Sequence, residues 1–203
     1  MESLSSLFIK SIFVNNMIFA YFLGMCSYLA VSKNVKTAFG LGVAVCAVLM
    51  ITVPINYLIH QYLLKAGALE WISMKWSNIN LSFLSLIVFI AVVASIVQLL
   101  EMIIERFSSA LYNSLGIFLP LIAVNCAILG ASLFMQEKDF PTIGHSFVYA
   151  FGSGIGWLLA IVAFAAIRER IRYSDIPKPL QGLGIAYITT GLMGLGFMAF
   201  LGM

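Results

Sequence analysis

The sequence predicts an all-α integral membrane protein of six transmembrane helices, arranged as two inverted three-helix repeats. Three observations carry that expectation. Of 203 residues, 62% are hydrophobic and 9% charged, against roughly 25% charged in soluble domains. Six apolar stretches are long enough for a bilayer core of about 30 Å, which takes roughly 20 helical residues. The stretches divide three and three, and an odd number per half forces the fourth helix to run opposite to the first. The halves meet at approximately 106/107 within a single membrane domain, 1–203.

The first span is expected from Ile12 to Val31. Its leading segment, MESLSSLFIKSIFVNN, has no basic region before the apolar run and no small-residue cleavage site, so it reads as the start of an uncleaved span. The stretch FLGMCSYLA places Gly24 and Cys26 inside it. The second span, from Phe39 to Ile59, carries Cys46. The third, from Leu81 to Ile104, ends in VQLLEMIIER and holds Glu101 about a turn from its end. An intramembrane carboxylate is a functional candidate by default, here cation-related. So near the end of a span, it can equally reach water or pair with Arg106.

The fourth span, from Leu115 to Met135, contains Pro120, Asn125, Cys126 and Gly130. The fifth, from Phe147 to Ile167, contains FGSGIGW, which lacks the strand–turn–helix setting of a nucleotide-binding glycine loop. Its Gly152 and Gly156 read as a close-packing pair, and GLMGLG on the sixth span, from Leu183 to Leu201, adds glycines of the same kind.

The connections are short and polar, with no room for a soluble domain. Lys10, Lys65, Lys75 and Lys138 fall on the side of the N-terminus; Lys33, Lys36, Arg106, Arg168, Arg170, Arg172 and Lys178 fall on the other. That bias makes the second side cytoplasmic and turns both termini outward. Trp71, Trp76 and Tyr149 suit an outward aromatic belt. His60 and His145 have no partner at metal-ligand spacing and read as solvated loop residues. A net charge of +3 supplies no basic stripe for nucleic acid, and three cysteines in short-looped membrane segments make no disulfide framework.

A lone membrane cysteine is most often a small buried hydrophobe, and Cys46 has nothing to set it apart. Cys26 and Cys126 differ, because each occupies the first helix of its half. In an inverted repeat these positions approach one another near the pseudo-two-fold axis, close to the midplane. Leu29 and Ser32 follow Cys26 at the same spacing as Leu129 and Ser132 follow Cys126. Gly24, Pro120, Asn125 and Gly130 favour breaks or close approaches in both helices. Two thiolates suit a soft metal or an iron–sulfur cluster, and a [2Fe–2S] cluster takes four ligands, so this chain can offer half of a set. Spacing alone leaves packing and a shared metal site both open, with packing the commoner. A small secondary transporter with a solute site at the breaks is the reading from another functional class.

The motifs SIFVNNMIFAYFLGMCSYLAVSKNVKTAFGLG, VQLLEMIIERF, LYNSLGIFLPLIAVNCAILG, YAFGSGIGWLLAIVAFAAIRERIRYSDIP and LQGLGIAYITTGLMGLGFM cover nearly the whole chain. Together they resemble the E-subunit family of the sodium-translocating NADH:quinone oxidoreductase, a bacterial inner-membrane translocase, and less closely the related A-subunit family of the Rnf complex. The resemblance implies six helices in inverted halves, and the breakers in the first and fourth place a break in each near the midplane. It also implies a homologous D-type partner of opposite orientation and further subunits bearing flavins, a ferredoxin-like cluster and the NADH site. FLGMC and AVNC match the family's ligand motifs, so Cys26 and Cys126 are the implied ligands of a [2Fe–2S] cluster shared with that partner. The implied role is electron relay across the membrane, coupled to sodium export and ending at ubiquinone, in a subunit that is not catalytic alone. An Rnf-type ferredoxin:NAD complex is the alternative assembly.

Overall fold

The structure, a computed structural model, describes residues 3–64, 84–107, 119–175 and 177–199. Among them are eight α-helices. These are α1 (Leu4–Ile9), α2 (Met25–Val31), α3 (Val35–Ile59), α4 (Ser85–Phe107), α5 (Leu119–Ala123), α6 (Cys126–Lys138), α7 (Ile143–Ile171) and α8 (Leu183–Met198). Helices α1 and α3 each run on into a wider π-helical turn, Lys10–Val14 and His60–Leu64. Among the described residues, four helical stretches are long and apolar enough to cross a membrane: Val35–Leu64, Ser85–Ile103, Leu121–Lys138 and Ile143–Ile171. Leu4–Val14 and Leu183–Met198 are shorter apolar helices.

Helices α3 and α7 form the central pair. Helix α6 packs on α3, α1 and its π turn pack on α7, and α4 lies against α3, α5 and α6. Apolar side chains do not drive helices together in lipid, so close approach and hydrogen bonds have to do it. Glycine supplies the approach. A Cβ at Gly154 would lie 2.7 Å from the Cys46 sulfur, and one at Gly42 would lie 2.9 Å from Leu158. Gly152 and Gly156 press instead on the first segment, at Ser11 and the Ile12 carbonyl. The fifth-span glycines therefore pack within this chain. Gly191 and Gly196 on α8 have open space beside them.

Polar side chains supply the hydrogen bonds. Asn56 on α3 donates to Ser132 Oγ on α6 at 2.8 Å, and Ser132 donates to the Ile128 carbonyl. Arg168 on α7 donates to Ser32 Oγ at 2.8 Å and to the Leu29 carbonyl at 2.9 Å, at the end of α2. Tyr28 stacks on Phe164, with ring centroids 4.4 Å apart, and docks the same short helix.

Several expectations are corrected. Helix begins at Leu4, well before Ile12. Pro120 sits within α5, and the fourth segment breaks after it, at Val124 and Asn125. Tyr149 is no interfacial anchor: it is buried against Phe140, with the Lys138 ammonium 5.0 Å from its ring centre. His60 is buried on the π turn of α3, and His145 lies in the first turn of α7, so neither is a solvated loop residue. Trp71, Trp76, Lys65 and Lys75 lie outside the described residues.

Candidate functional site

The first segment loses its helix between Asn15 and Gly24. Non-helical backbone at membrane depth survives only where protein buries it and satisfies its amides. Asn16, fully buried, does both. Its Nδ2 donates to the Ile12 and Gly156 carbonyls at 3.0 and 2.9 Å, and its Oδ1 accepts from the Ile18 amide at 3.0 Å and the Phe19 amide at 3.4 Å. All four hydrogen-bonding valences of the side chain are used. Met17 and Ile18 fill the space below it with no exposed surface.

The chain re-enters helix through Gly24, whose φ of +82° is left-handed. A side chain there meets an obstacle as well as strain. A Cβ would lie 2.7 Å from the Trp157 indole nitrogen and 2.9 Å from Asn125 Oδ1. Gly24 is therefore the point at which the two broken segments touch. Cys26 follows two residues later in the first turn of α2.

In the fourth segment Asn125 makes the corresponding turn. Its side chain caps α6, accepting from the Ala127 amide at 3.0 Å, and its Nδ2 donates across to Ser27 Oγ at 3.2 Å. Ser27 in turn donates to the Gly24 carbonyl. A chain of three hydrogen bonds thus ties the start of α6 to the start of α2. Cys126 is the first residue of α6.

The result is that Cys26 and Cys126 stand as neighbours, each thiol within electrostatic reach of the other. Both are exposed on the surface of the chain, beside a Val124 that is 72% exposed. Cys46 is not part of this pair; it fills the gap against Gly154 between α3 and α7. Among the described residues no three His, Cys, Asp or Glu side chains gather closely enough to hold a metal. Glu101 is half-buried on α4, and no ion pair with Arg106 forms among the described residues. The chain thus presents two soft, adjacent, exposed donors, with no third gathered beside them among the described residues. Such a set cannot close a coordination sphere by itself, and it matches half of a four-thiolate one.

Sequence reasoning anticipated a close approach at Gly24 but missed Asn16 and Trp157. The doubled asparagine before an apolar run was the available signal for Asn16, since a buried asparagine must have its amide satisfied.

A family model described as "Rnf-Nqr subunit, membrane protein" matches residues 4–203. The chain is 58% identical over 201 residues to the E subunit of the Na(+)-translocating NADH-quinone reductase of Hahella chejuensis, covering 99% of this chain and 98% of that relative. It is 60% identical over 198 residues to the protein of that name from Psychrobacter cryohalolentis, covering 98% and 96%. It is 56% identical to the one from Rhodopirellula baltica, covering 99% and 98%.

Proposed function

The chain belongs to the Rnf-Nqr family of membrane subunits, and on that premise we propose that it is the E-type component of a sodium-translocating NADH:quinone reductase. In this reading Cys26 and Cys126 hold one side of an intersubunit [2Fe–2S] cluster, and a homologous D-type partner holds the other. When bound, such a cluster supplies one-electron transfer between the cytoplasmic and outward redox centres of the complex. The chain is one part of a translocase, not a catalyst alone. Its sodium coupling belongs to the whole assembly, with the half-buried Glu101 the carboxylate proposed for a cation-related step. It sits in the bacterial inner membrane with both termini on the periplasmic side. The relatives' names favour this assembly over an Rnf-type complex.

The observation that carries the reading is the pair of adjacent thiols on an uncovered face. This chain's own residues do the positioning. Asn16 stabilises the first break, Gly24 permits the approach of the second, and Asn125 with Ser27 joins them. The half-set fits a cluster between chains and does not fit a closed site within one.

Six spans in inverted halves also have support in the contacts. The shift along the chain that carries Cys26 onto Cys126 carries Ser32 onto Ser132. The shift that carries Gly42 onto Gly154 carries Cys46 onto Leu158 and Asn56 onto Arg168. Under these shifts the contact of Gly42 with Leu158 becomes that of Gly154 with Cys46, and Arg168 on Ser32 becomes Asn56 on Ser132. A pseudo-two-fold axis between α3 and α7 accounts for both pairs at once.

The test is made on the purified complex. Iron is quantified, and paramagnetic and visible spectra are compared for the parent, Cys26→Ala, Cys126→Ala and Cys46→Ala. The reading expects the first two variants to lose the cluster signal and quinone reduction, and Cys46→Ala to keep both. An unchanged signal in either of the first two sinks it.

A further inference from the structure

We propose that the end of the bundle where α1, α6 and α7 meet binds a phosphate group carried on an apolar stem, as in an anionic phospholipid. A cleft of about 500 Å³ opens there. Two ammonium groups line it, Lys10 from the first segment and Lys138 from the last turn of α6. Lys138 is steadied by the face of the Tyr149 ring, 5.0 Å away. His145 lines the same cleft, and its Nδ1 is buried without a hydrogen-bond partner among the described residues. A buried imidazole nitrogen left unpaired is costly, and an acceptor or donor from a ligand relieves it.

The backbone adds to the positive field. Helix α7 is 29 residues long and starts here, and its N-cap Thr142 makes no side-chain capping bond. First-turn amides left without a side-chain cap and a helix dipole favour an anion. Of that first turn it is His145 that lines the cleft. Two carboxylates, Glu137 and Asp139, flank Lys138 in the chain. Neither lines the cleft, and Asp139 is turned by its left-handed backbone towards Gln61, whose Nε2 lies 3.4 Å from its Oδ1.

The remaining walls set the ligand class. Leu7, Phe140 and Pro141 are apolar, an unfavourable lining for a fully hydrated ion and a favourable one for the glycerol and first methylenes of a lipid. Lysines at the end of membrane helices attract anionic headgroups by about 1 kcal/mol each.

The delipidated complex is titrated with short-chain phosphatidylglycerol, short-chain phosphatidylcholine and inorganic phosphate. Its thermal midpoint is followed, and retained lipid is counted by native mass spectrometry. Comparing parent and variant complexes isolates this cleft from lipid sites on other subunits. Phosphatidylglycerol should raise the midpoint saturably, and the double variant Lys10→Gln/Lys138→Gln should weaken it about thirtyfold. His145→Phe should weaken binding as well, while Lys138→Arg should retain it. Inorganic phosphate competing with the lipid identifies the phosphate as the recognised group. Phosphate binding without any response to phosphatidylglycerol assigns a free anion and overturns the lipid. Equal binding of phosphatidylcholine, or an unchanged double variant whose midpoint without ligand matches the parent, overturns the site.

Discussion

Replacing Gly24 by alanine tests whether the meeting of the two helix breaks sets the thiol pair. Two costs follow from the structure. A left-handed residue with a Cβ is strained by about 1–2 kcal/mol. The added carbon would also lie 2.7 Å from the Trp157 indole nitrogen and 2.9 Å from Asn125 Oδ1. Trp157 is fully buried and has nowhere to retreat, so overpacking adds about 1–3 kcal/mol. The sum, about 2–5 kcal/mol, falls on the residue that caps α6 and bonds to Ser27. The variant should therefore separate Cys26 from Cys126 as well as lower stability. In the full-length detergent-solubilised chain carrying Cys46→Ala, mild oxidation should join Cys26 to Cys126 readily, and Gly24→Ala should slow that reaction at least tenfold. Gly182→Ala is the control. Its backbone, φ +89° and ψ −115°, is more unfavourable for alanine than that of Gly24, but nothing lies within 4 Å of the new carbon. It should lower the thermal midpoint and leave cross-linking intact. Parental cross-linking in Gly24→Ala would refute the reasoning.

Three further outcomes are expected. Arg168→Met strips the donor from the Leu29 carbonyl and Ser32 Oγ, and should cost about 2–4 kcal/mol, seen as a lower thermal midpoint that Arg168→Lys restores in part. Asn125→Ala removes a helix cap and the bond to Ser27, at about 1–2 kcal/mol; Asn125→Asp, which keeps the cap, should lose less when stability is compared. Cys46→Ala should be mild, whereas Cys46→Leu must force α3 away from Gly154 and should lower the yield of folded chain by overpacking.

The helical character of the chain and the pairing of two particular cysteines were legible because they rest on composition and on spacing between halves. Which face of each helix meets protein was not. In water, burial separates apolar from polar residues along a helix; in lipid both faces are apolar, and the pattern that would reveal the packed face is missing. Tyr149 illustrates the failure. An aromatic near a span end suits an interface, yet here the Phe140 and Lys138 side chains enclose it. Proline misled for a related reason. Pro120 lies within helix, because a proline in a first turn gives up no bond that the helix has, and the break falls to Asn125.

The serines following the two cysteines show what a sequence echo can and cannot carry. Ser32 and Ser132 stand at equal distances from Cys26 and Cys126 and are both fully buried. Their donors are chemically unlike, a guanidinium for one and a carboxamide for the other, so no comparison of residue types pairs them. The requirement they share is physical. A broken helix gives up part of its own hydrogen bonding, and in lipid the loss has to be recovered from a neighbouring helix. Each cysteine-bearing helix is held by one polar side chain of the central pair, Arg168 from α7 for α2 and Asn56 from α3 for α6. This arrangement supplies each position with a donor of the right reach. It leaves the two cysteine-bearing helices fixed to a rigid pair, and the thiols at their starts free on the outer face.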